Sequence, residues 1–144
     1  MKMQAHRYHD FCYGHRVFGH ESKCAHLHGH NGRVTFYCEA DVLDTVGRVI
    51  DFSEIKRLAN WLEDNWDHKT LIWQDDPWLV LLQQLDPDGV KMVSFNPTSE
   101  NISEFLLKHV GPALMQGTGV TLTKVEFSET RKCGVTFELD KDEI

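Results

Sequence analysis

Residues 23–42 read KCAHLHGHNGRVTFYCEADV, a stretch in which closely spaced histidines run directly into an alternating segment. Apolar and polar side chains alternate from Gly32 to Val42, with Val34, Phe36 and Cys38 on one side of the segment. Because successive side chains of a strand point to opposite faces, this alternation predicts a long β-strand with one buried face.

Further elements are predicted on both sides of this strand. An earlier strand is predicted from about Arg7 to Cys12. The remaining expected elements are an amphipathic helix after Asp51, a short helix at Trp78–Leu85, a short strand at Val90–Phe95, a helix capped by Thr98 or Ser99, and strands at Val120–Phe127 and Cys133–Leu139. This order predicts an α+β fold with an antiparallel four-stranded sheet that is covered by helices on one face.

Length and composition restrict the classes of protein. The 144 residues fit a single domain, residues 1–144, and the formal net charge of -7 argues against nucleic-acid binding, which requires a basic surface. No apolar run approaches the roughly 20 residues that cross a bilayer, and the amino terminus lacks the apolar stretch of a secretory signal. We therefore expect a cytoplasmic protein without membrane contact.

The histidines of the quoted stretch predict a metal site. In an extended segment, residues two apart project to the same face, so His28 and His30 can bind one zinc ion (Zn²⁺) together. A third imidazole from an earlier strand would leave the fourth tetrahedral position open, as in catalytic zinc sites. His26 shares the same spacing, and spacing alone leaves open which two of the three histidines bind.

The local sequence supports a chemical role for Cys24, whereas for His68 and Glu129 it equally fits an ordinary structural role. Cys24 lies among Lys23 and the histidines, a positive neighbourhood that favours the thiolate and so predicts a nucleophile or a base. His68 after Asp67 also fits a cation in the last turn of a helix. Glu129 also fits a solvated hairpin residue.

Six ordered motifs over most of the chain resemble the family of 6-pyruvoyltetrahydropterin and 6-carboxytetrahydropterin synthases, whose members share the tunnelling fold (T-fold). A single motif such as HxH would be weak evidence, but six in order are specific. The motifs are Phe11–His15, Cys24 with His28-Gly29-His30-Asn31, Ile50-Asp51-Phe52, Asp67-His68, Pro97-Thr98-Ser99-Glu100-Asn101 and Glu129-Thr130.

The resemblance implies a role for each matching residue. The implied zinc ligands are His15, His28 and His30. The implied proton-transfer residues are Cys24 as acceptor, Asp67 and His68 as its partners, and Glu129 in the relay. The implied substrate-binding residues are Glu129 as the pterin anchor, with Glu100, Thr98 and Ser99 lining the pocket from the same or an adjacent subunit.

The resemblance also implies a substrate and an assembly. The substrate would be 7,8-dihydroneopterin triphosphate, and the chain would form a homo-oligomer, a hexamer built as a dimer of trimers in which the sheets close into a barrel. The long edges of a small antiparallel sheet independently favour association between copies. Four cations are candidates for contact with the triphosphate: Arg16, Lys23, Arg131 and Lys132.

Two products are compatible with these motifs. Three residues separate Cys24 from His28, a spacing similar to that of the carboxy-forming enzymes of queuosine biosynthesis. This spacing favours 6-carboxytetrahydropterin synthase, a carbon-carbon lyase that releases acetaldehyde and triphosphate. The alternative enzyme is 6-pyruvoyltetrahydropterin synthase.

A different class of protein would be a non-catalytic module in which three histidines and Cys24 close a structural zinc site. A zinc deaminase is excluded because the chain lacks the Pro-Cys-x-x-Cys ligand pair.

Two features depart from the family pattern. Tyr13 and Gly14 precede the first zinc histidine where small residues such as Ala or Ser are usual, which predicts a different pocket wall. The stretch Ile72–Gly89 resembles an insertion and is long for a bacterial member. It would serve either an oligomer contact or a substrate lid.

Overall fold

The computed structural model describes residues 2–144 and contains one mixed sheet of six strands. The strands are β1 Ala5–His15, β2 His28–Ala40, β3 Lys69–Trp73, β4 Val90–Val93, β5 Val120–Ser128 and β6 Gly134–Glu138. Their order across the sheet is β4-β3-β1-β2-β5-β6. The four strands β1, β2, β5 and β6 pair antiparallel, whereas β3 and β4 extend the sheet beyond β1 by parallel pairing.

The predicted count of four strands is wrong, while the α+β class with helices on one face is confirmed. Strand β3 was missed because its buried part is only Leu71 and Ile72, too short a run for periodicity to identify. A helix between β3 and β4 provides the crossover that parallel pairing requires.

The helices are α1 Phe52–Asn65, α2 Leu79–Leu85, α3 Ser99–Phe105 and, after a π-helical turn at Leu106–Val110, α4 Gly111–Met115. Helices α1 and α3 each begin directly after a residue whose side chain caps them. The Asp51 carboxylate accepts the amide of Ser53 at 3.0 Å, and the Thr98 hydroxyl accepts the amide of Asn101 at 3.1 Å. These bonds satisfy amides at the helix starts that have no partner within the helix.

One hydrophobic cluster lies between the helices and the sheet. The inner face of α1 buries Ile55, Leu58 and Leu62, and the alternating residues of β2 pack against them. Strand β2 ends at Ala40, opposite the first residue of β5, so Val42 lies beyond the sheet and is exposed. No helix within residues 2–144 is both long and apolar enough to cross a membrane.

The hairpin of β1 and β2 positions the residues that matter for function. Its register pairs His15 with His28 and Tyr13 with His30, so these four side chains lie on the same face of the sheet. This is the face that the helices cover, because Phe11, Tyr13 and His15 are buried while Cys12 between them is exposed.

Candidate active site

The three histidines of the predicted zinc site lie together at one end of the hairpin. One ring nitrogen of each of His15, His28 and His30 lies within 4.8 Å of the others. The Nε2 atoms of His15 and His28 are 3.0 Å apart. This separation is close to the roughly 3.4 Å between two nitrogens that bind one tetrahedral zinc ion at about 2.1 Å.

Backbone carbonyls hold two of these rings in the orientation that a metal ion requires. The Nδ1 atoms of His15 and His28 donate to the carbonyl oxygens of Pro97 and His26, both at 2.7 Å. Because a carbonyl can only accept, each neutral ring carries its proton on Nδ1 and presents an unprotonated Nε2. Two such nitrogens repel each other at 3.0 Å unless a cation lies between them. His26 therefore contributes its carbonyl here.

Burial keeps His15 and His30 in the neutral form that binds metals. The side chain of His15 is 1% exposed, and this burial is the main reason that its pKa is lowered to about 4. Burial likewise lowers the pKa of His30, whose Nε2 is buried without a hydrogen-bond partner. Neutral imidazoles with an unsatisfied buried nitrogen fit a divalent cation of the zinc type.

Glu129 lies against this cluster. Its Oε1 atom is 3.4 Å from Nε2 of His15 and 3.3 Å from Nε2 of His30. Strand β5 brings it there because Ser128, the preceding residue, pairs with Arg33 of β2. The interpretation of Glu129 as a solvated hairpin residue is therefore wrong.

Tyr13 connects the histidines to Glu129. Its hydroxyl donates to Oε1 of Glu129 at 3.4 Å, and its ring packs edge-on against His15 with centroids 5.2 Å apart. Gly32 makes room for the ring, since a Cβ there would lie 3.0 Å from Cε1 of Tyr13. Burial, reinforced by Glu129, raises the pKa of Tyr13 far above its usual range, so the hydroxyl remains a donor. The sequence marked Tyr13 as unusual without indicating this contact.

Cys24 lies in a 3-10 turn, Lys23–Ala25, within the connection between β1 and β2. Its carbonyl accepts the amide of Val17 at 2.9 Å. Because Val17 is two residues after His15, this bond ties the turn to the end of β1. Among residues 2–144 the group able to hold a metal consists of three histidines and does not include Cys24.

Asp67 and His68 form a hydrogen-bonded pair directly before β3. The Asp67 carboxylate accepts the amide of Cys12 and the Nδ1–H of His68, each at 2.9 Å. Burial acts to raise the pKa of Asp67, but these two contacts outweigh it and the net pKa is lowered. The His68 side chain is 76% exposed. It lines a groove of about 690 Å³ together with Cys12, Asn31, His28 and His30.

Cys12 and Asn31 pair across β1 and β2, so their part of the groove lies on the sheet face opposite to the buried Tyr13 and His15. His28 and His30 also line the groove, but the His68 ring bonds Asp67, and within residues 2–144 no hydrogen bond joins it to any of the three histidines.

The predicted pterin-binding residues are partly brought together. Ser99 and Glu100 line a cavity of about 160 Å³ with Glu129 and Cys133. Thr98 is not part of this lining, because its hydroxyl caps α3.

The four candidate cations divide into two groups. Lys23, Arg131 and Lys132 are exposed. Arg16 is buried against Asp76, a contact that sequence reasoning missed because Asp76 before Pro77 also fits a helix start. The only available signal was the position of Arg16 directly after a metal-ligand histidine.

Comparison with known proteins agrees with this geometry. Residues 4–140 match the family described as 6-pyruvoyl tetrahydropterin synthase. A protein named 6-carboxy-5,6,7,8-tetrahydropterin synthase from Rickettsia typhi is 35% identical over 128 residues, 88% of this chain and 93% of that protein. Its counterpart of the same name from Haemophilus influenzae is 31% identical over 110 residues, 69% of this chain and 77% of that protein.

Solved structures show the same fold. An uncharacterized protein from Wolinella succinogenes superposes with a TM-score of 0.85 at 27% identity, covering 97% of this chain and 99% of that one. The 6-pyruvoyl tetrahydropterin synthase of Caenorhabditis elegans superposes with a TM-score of 0.70 at 21% identity, covering 97% of both chains. The match over nearly the whole length establishes that this chain belongs to the 6-pyruvoyl tetrahydropterin synthase family.

Proposed function

We propose that this protein converts 7,8-dihydroneopterin triphosphate to 6-carboxy-5,6,7,8-tetrahydropterin, with release of acetaldehyde and triphosphate, in queuosine biosynthesis. Membership of the family makes the protein a lyase that synthesises a pterin. The finer choice of product is supported by the relatives named 6-carboxy-5,6,7,8-tetrahydropterin synthase and by the short spacing between Cys24 and His28.

The observation that carries the proposal is the convergence of three imidazoles beside a carboxylate. His15, His28 and His30 supply three ligands, and Cys24 is outside the group, which favours an open coordination position. A closed structural site formed by the histidines and Cys24 is not supported by this arrangement. A zinc ion held there would act as a Lewis acid on the hydroxyls of the substrate side chain.

The remaining chemistry belongs to the protein's own groups. One carboxylate can accept from both the amino group and the ring N–H of a pterin, so we assign Glu129 as the anchor, next to Ser99 and Glu100. The thiolate of Cys24 would accept the proton that leaves the substrate side chain. His68, held by Asp67, would return or relay that proton.

The position of His68 makes a homo-oligomer part of the proposal. The His68 side chain is 76% exposed and its ring bonds Asp67 and none of the three histidines, so we infer that the His68 serving each histidine cluster comes from a neighbouring copy. We propose that the active site is assembled from two chains, consistent with the hexamer implied by the sequence.

Mixed oligomers test this arrangement. Cys24→Ala and His68→Ala chains should each be inactive alone, and unfolding and reassembling them together should restore about a quarter of the activity, as expected for random pairing of the two halves of a site. A mixture that stays inactive, although wild-type chains regain activity by the same procedure, would contradict the shared site.

Product analysis tests the activity. The zinc-loaded protein should convert 7,8-dihydroneopterin triphosphate to a pterin with the mass of the 6-carboxy product. Detection of 6-pyruvoyltetrahydropterin instead would assign the protein to the alternative enzyme, for which the match to the family model is the supporting observation. Absence of any product with stoichiometric zinc bound would favour a non-catalytic module.

A further inference from the structure

A buried ion pair lies next to the first metal-ligand histidine. Arg16, directly after His15, donates from Nε and Nη2 to the two carboxylate oxygens of Asp76 at 2.6 and 2.9 Å. The Arg16 side chain is 7% exposed and that of Asp76 is fully buried. Taking both charges out of water costs free energy that a pair recovers only with good geometry and further hydrogen bonds. The bidentate arrangement provides this geometry.

The third branch of the guanidinium reaches the turn that carries Cys24. Nη1 of Arg16 donates to the carbonyl of Ala25 at 3.0 Å, and the amide of Val17 donates to the carbonyl of Cys24 at 2.9 Å. The two residues that directly follow β1 therefore hold two consecutive carbonyls of the turn. The Cys24 backbone is fixed relative to His15 by these contacts.

The long stretch after β3 holds Arg16 from the other side. Oδ1 of Asp76 also accepts the amide of Trp78 at 2.8 Å, and the Trp78 ring covers the guanidinium with its centroid 3.5 Å from Cζ. The stacking and the ion pair together fix the plane of the guanidinium. The stretch that resembles an insertion thus reaches the Cys24 turn through a single side chain.

We propose that Arg16 is a positioning residue for Cys24, and that Asp76 and Trp78 act by holding Arg16. The proposal rests on the proposed function in assigning Cys24 as the base. It removes Arg16 from the candidates for triphosphate contact, because its charge is buried and neutralised by Asp76. It also gives the segment from Asp76 to Trp78 a role within its own subunit.

The test compares two arginines in matched settings. Arg33 also forms a bidentate pair, with Asp10 at 2.8 and 3.1 Å, and also covers an aromatic ring, that of Tyr8, but it is half exposed and lies away from the turn. Lysine keeps the charge at either position and cannot reproduce the planar fork.

Arg16→Lys is expected to lower kcat by about 10²-fold, the effect of misplacing a reacting group by about 1 Å. Zinc content and KM should stay at the wild-type values, and Arg33→Lys should match the wild type in all three measurements. A raised KM with unchanged kcat would overturn the proposal, because it would make Arg16 a substrate contact. Wild-type kcat in Arg16→Lys, or an equal loss in Arg33→Lys, would also overturn it.

Hydrogen exchange gives a readout that does not depend on turnover. In zinc-loaded Arg16→Lys the amides of Val17, Ala25 and His26 should exchange faster than in the wild type, while those of β2 stay protected. Unchanged exchange at these three amides would overturn the proposal. If the wild type forms no pterin product, the proposed function fails and this exchange difference still tests the positioning of the turn.

Trp78→Leu covers the case in which Arg16→Lys does not fold. It removes the covering ring and leaves the ion pair and the charge in place. The same three amides should exchange faster and kcat should fall with KM unchanged. Wild-type exchange and kcat in Trp78→Leu would overturn the role of the stretch in holding Arg16.

Discussion

Cys24 is the residue whose substitution separates catalysis from metal binding. It lies outside the histidine group, so Cys24→Ala should retain stoichiometric zinc and the wild-type melting temperature. Loss of a general base should lower kcat by about 10² to 10⁴-fold. Metal analysis, thermal unfolding and turnover measure the three quantities. Loss of zinc from Cys24→Ala would make Cys24 a ligand, whereas His28→Ala is expected to lose zinc.

Tyr13 tests how Glu129 is held. Tyr13→Phe keeps the ring that packs against His15 and removes the donor to Oε1 of Glu129. A hydrogen bond to a charged group contributes about 1.5–3 kcal/mol, and because this one is long we expect the lower end, a fall in kcat/KM of about 10-fold. The matched control is Tyr37→Phe, which removes a hydroxyl that donates to Glu126 at 2.7 Å, outside the site. Equal losses in the two variants would contradict a specific role for Tyr13.

The sequence could predict residues whose chemistry depends on local spacing. His28 and His30 are two apart on one strand, and the resemblance supplied His15 as the third ligand. The contact of Arg16 with Asp76 joins positions 60 residues apart, and each residue has an ordinary local interpretation. Nothing in either local pattern encodes such a pair, so only the folded arrangement reveals it.

At the scale of elements, the approach to β3 contains a strained residue. His68 has a φ of 60°, in the left-handed region that costs a side chain with a Cβ about 1–2 kcal/mol. His68→Gly should therefore be more stable than His68→Ala by roughly this amount, although both lack the imidazole and should be inactive. Urea unfolding measures the difference. Equal stability of the two variants would show that the conformation is not strained.

Helices and strands were predicted correctly where the hydrophobic pattern extends over many residues. The prediction failed where a short strand joins the sheet by pairing with residues far away in the sequence. The alternation of β2 and the helical spacing of Ile55, Leu58 and Leu62 in α1 gave the right buried faces. Strand β1 extends past the predicted end at Cys12 because it pairs with β2 as far as His15. Strands β3 and β4 add to the sheet by parallel pairing across α2, which no local pattern of five or four residues specifies.

At the scale of the whole molecule, burial of His15 makes the metal-free protein sensitive to acid. The pKa of His15 is about 4 in the folded protein and 6.5 in the unfolded chain. Between these two values only the unfolded chain binds the proton. Stability should be fully present above pH 6.5 and fall as the pH approaches 4, by about 3 kcal/mol from this residue. Urea unfolding after chelation measures the loss. His15→Gln should lose less over this range, and parallel curves for the two proteins would contradict the assignment.

Acetaldehyde release is the measurement that tests the central claim most directly. The zinc-loaded protein is given 7,8-dihydroneopterin triphosphate, and acetaldehyde and pterin product are quantified together, with Cys24→Ala as the inactive control. We predict one acetaldehyde for each 6-carboxy-5,6,7,8-tetrahydropterin formed by the wild type and neither product from Cys24→Ala. Formation of 6-pyruvoyltetrahydropterin without acetaldehyde, or full turnover by Cys24→Ala, would contradict the account.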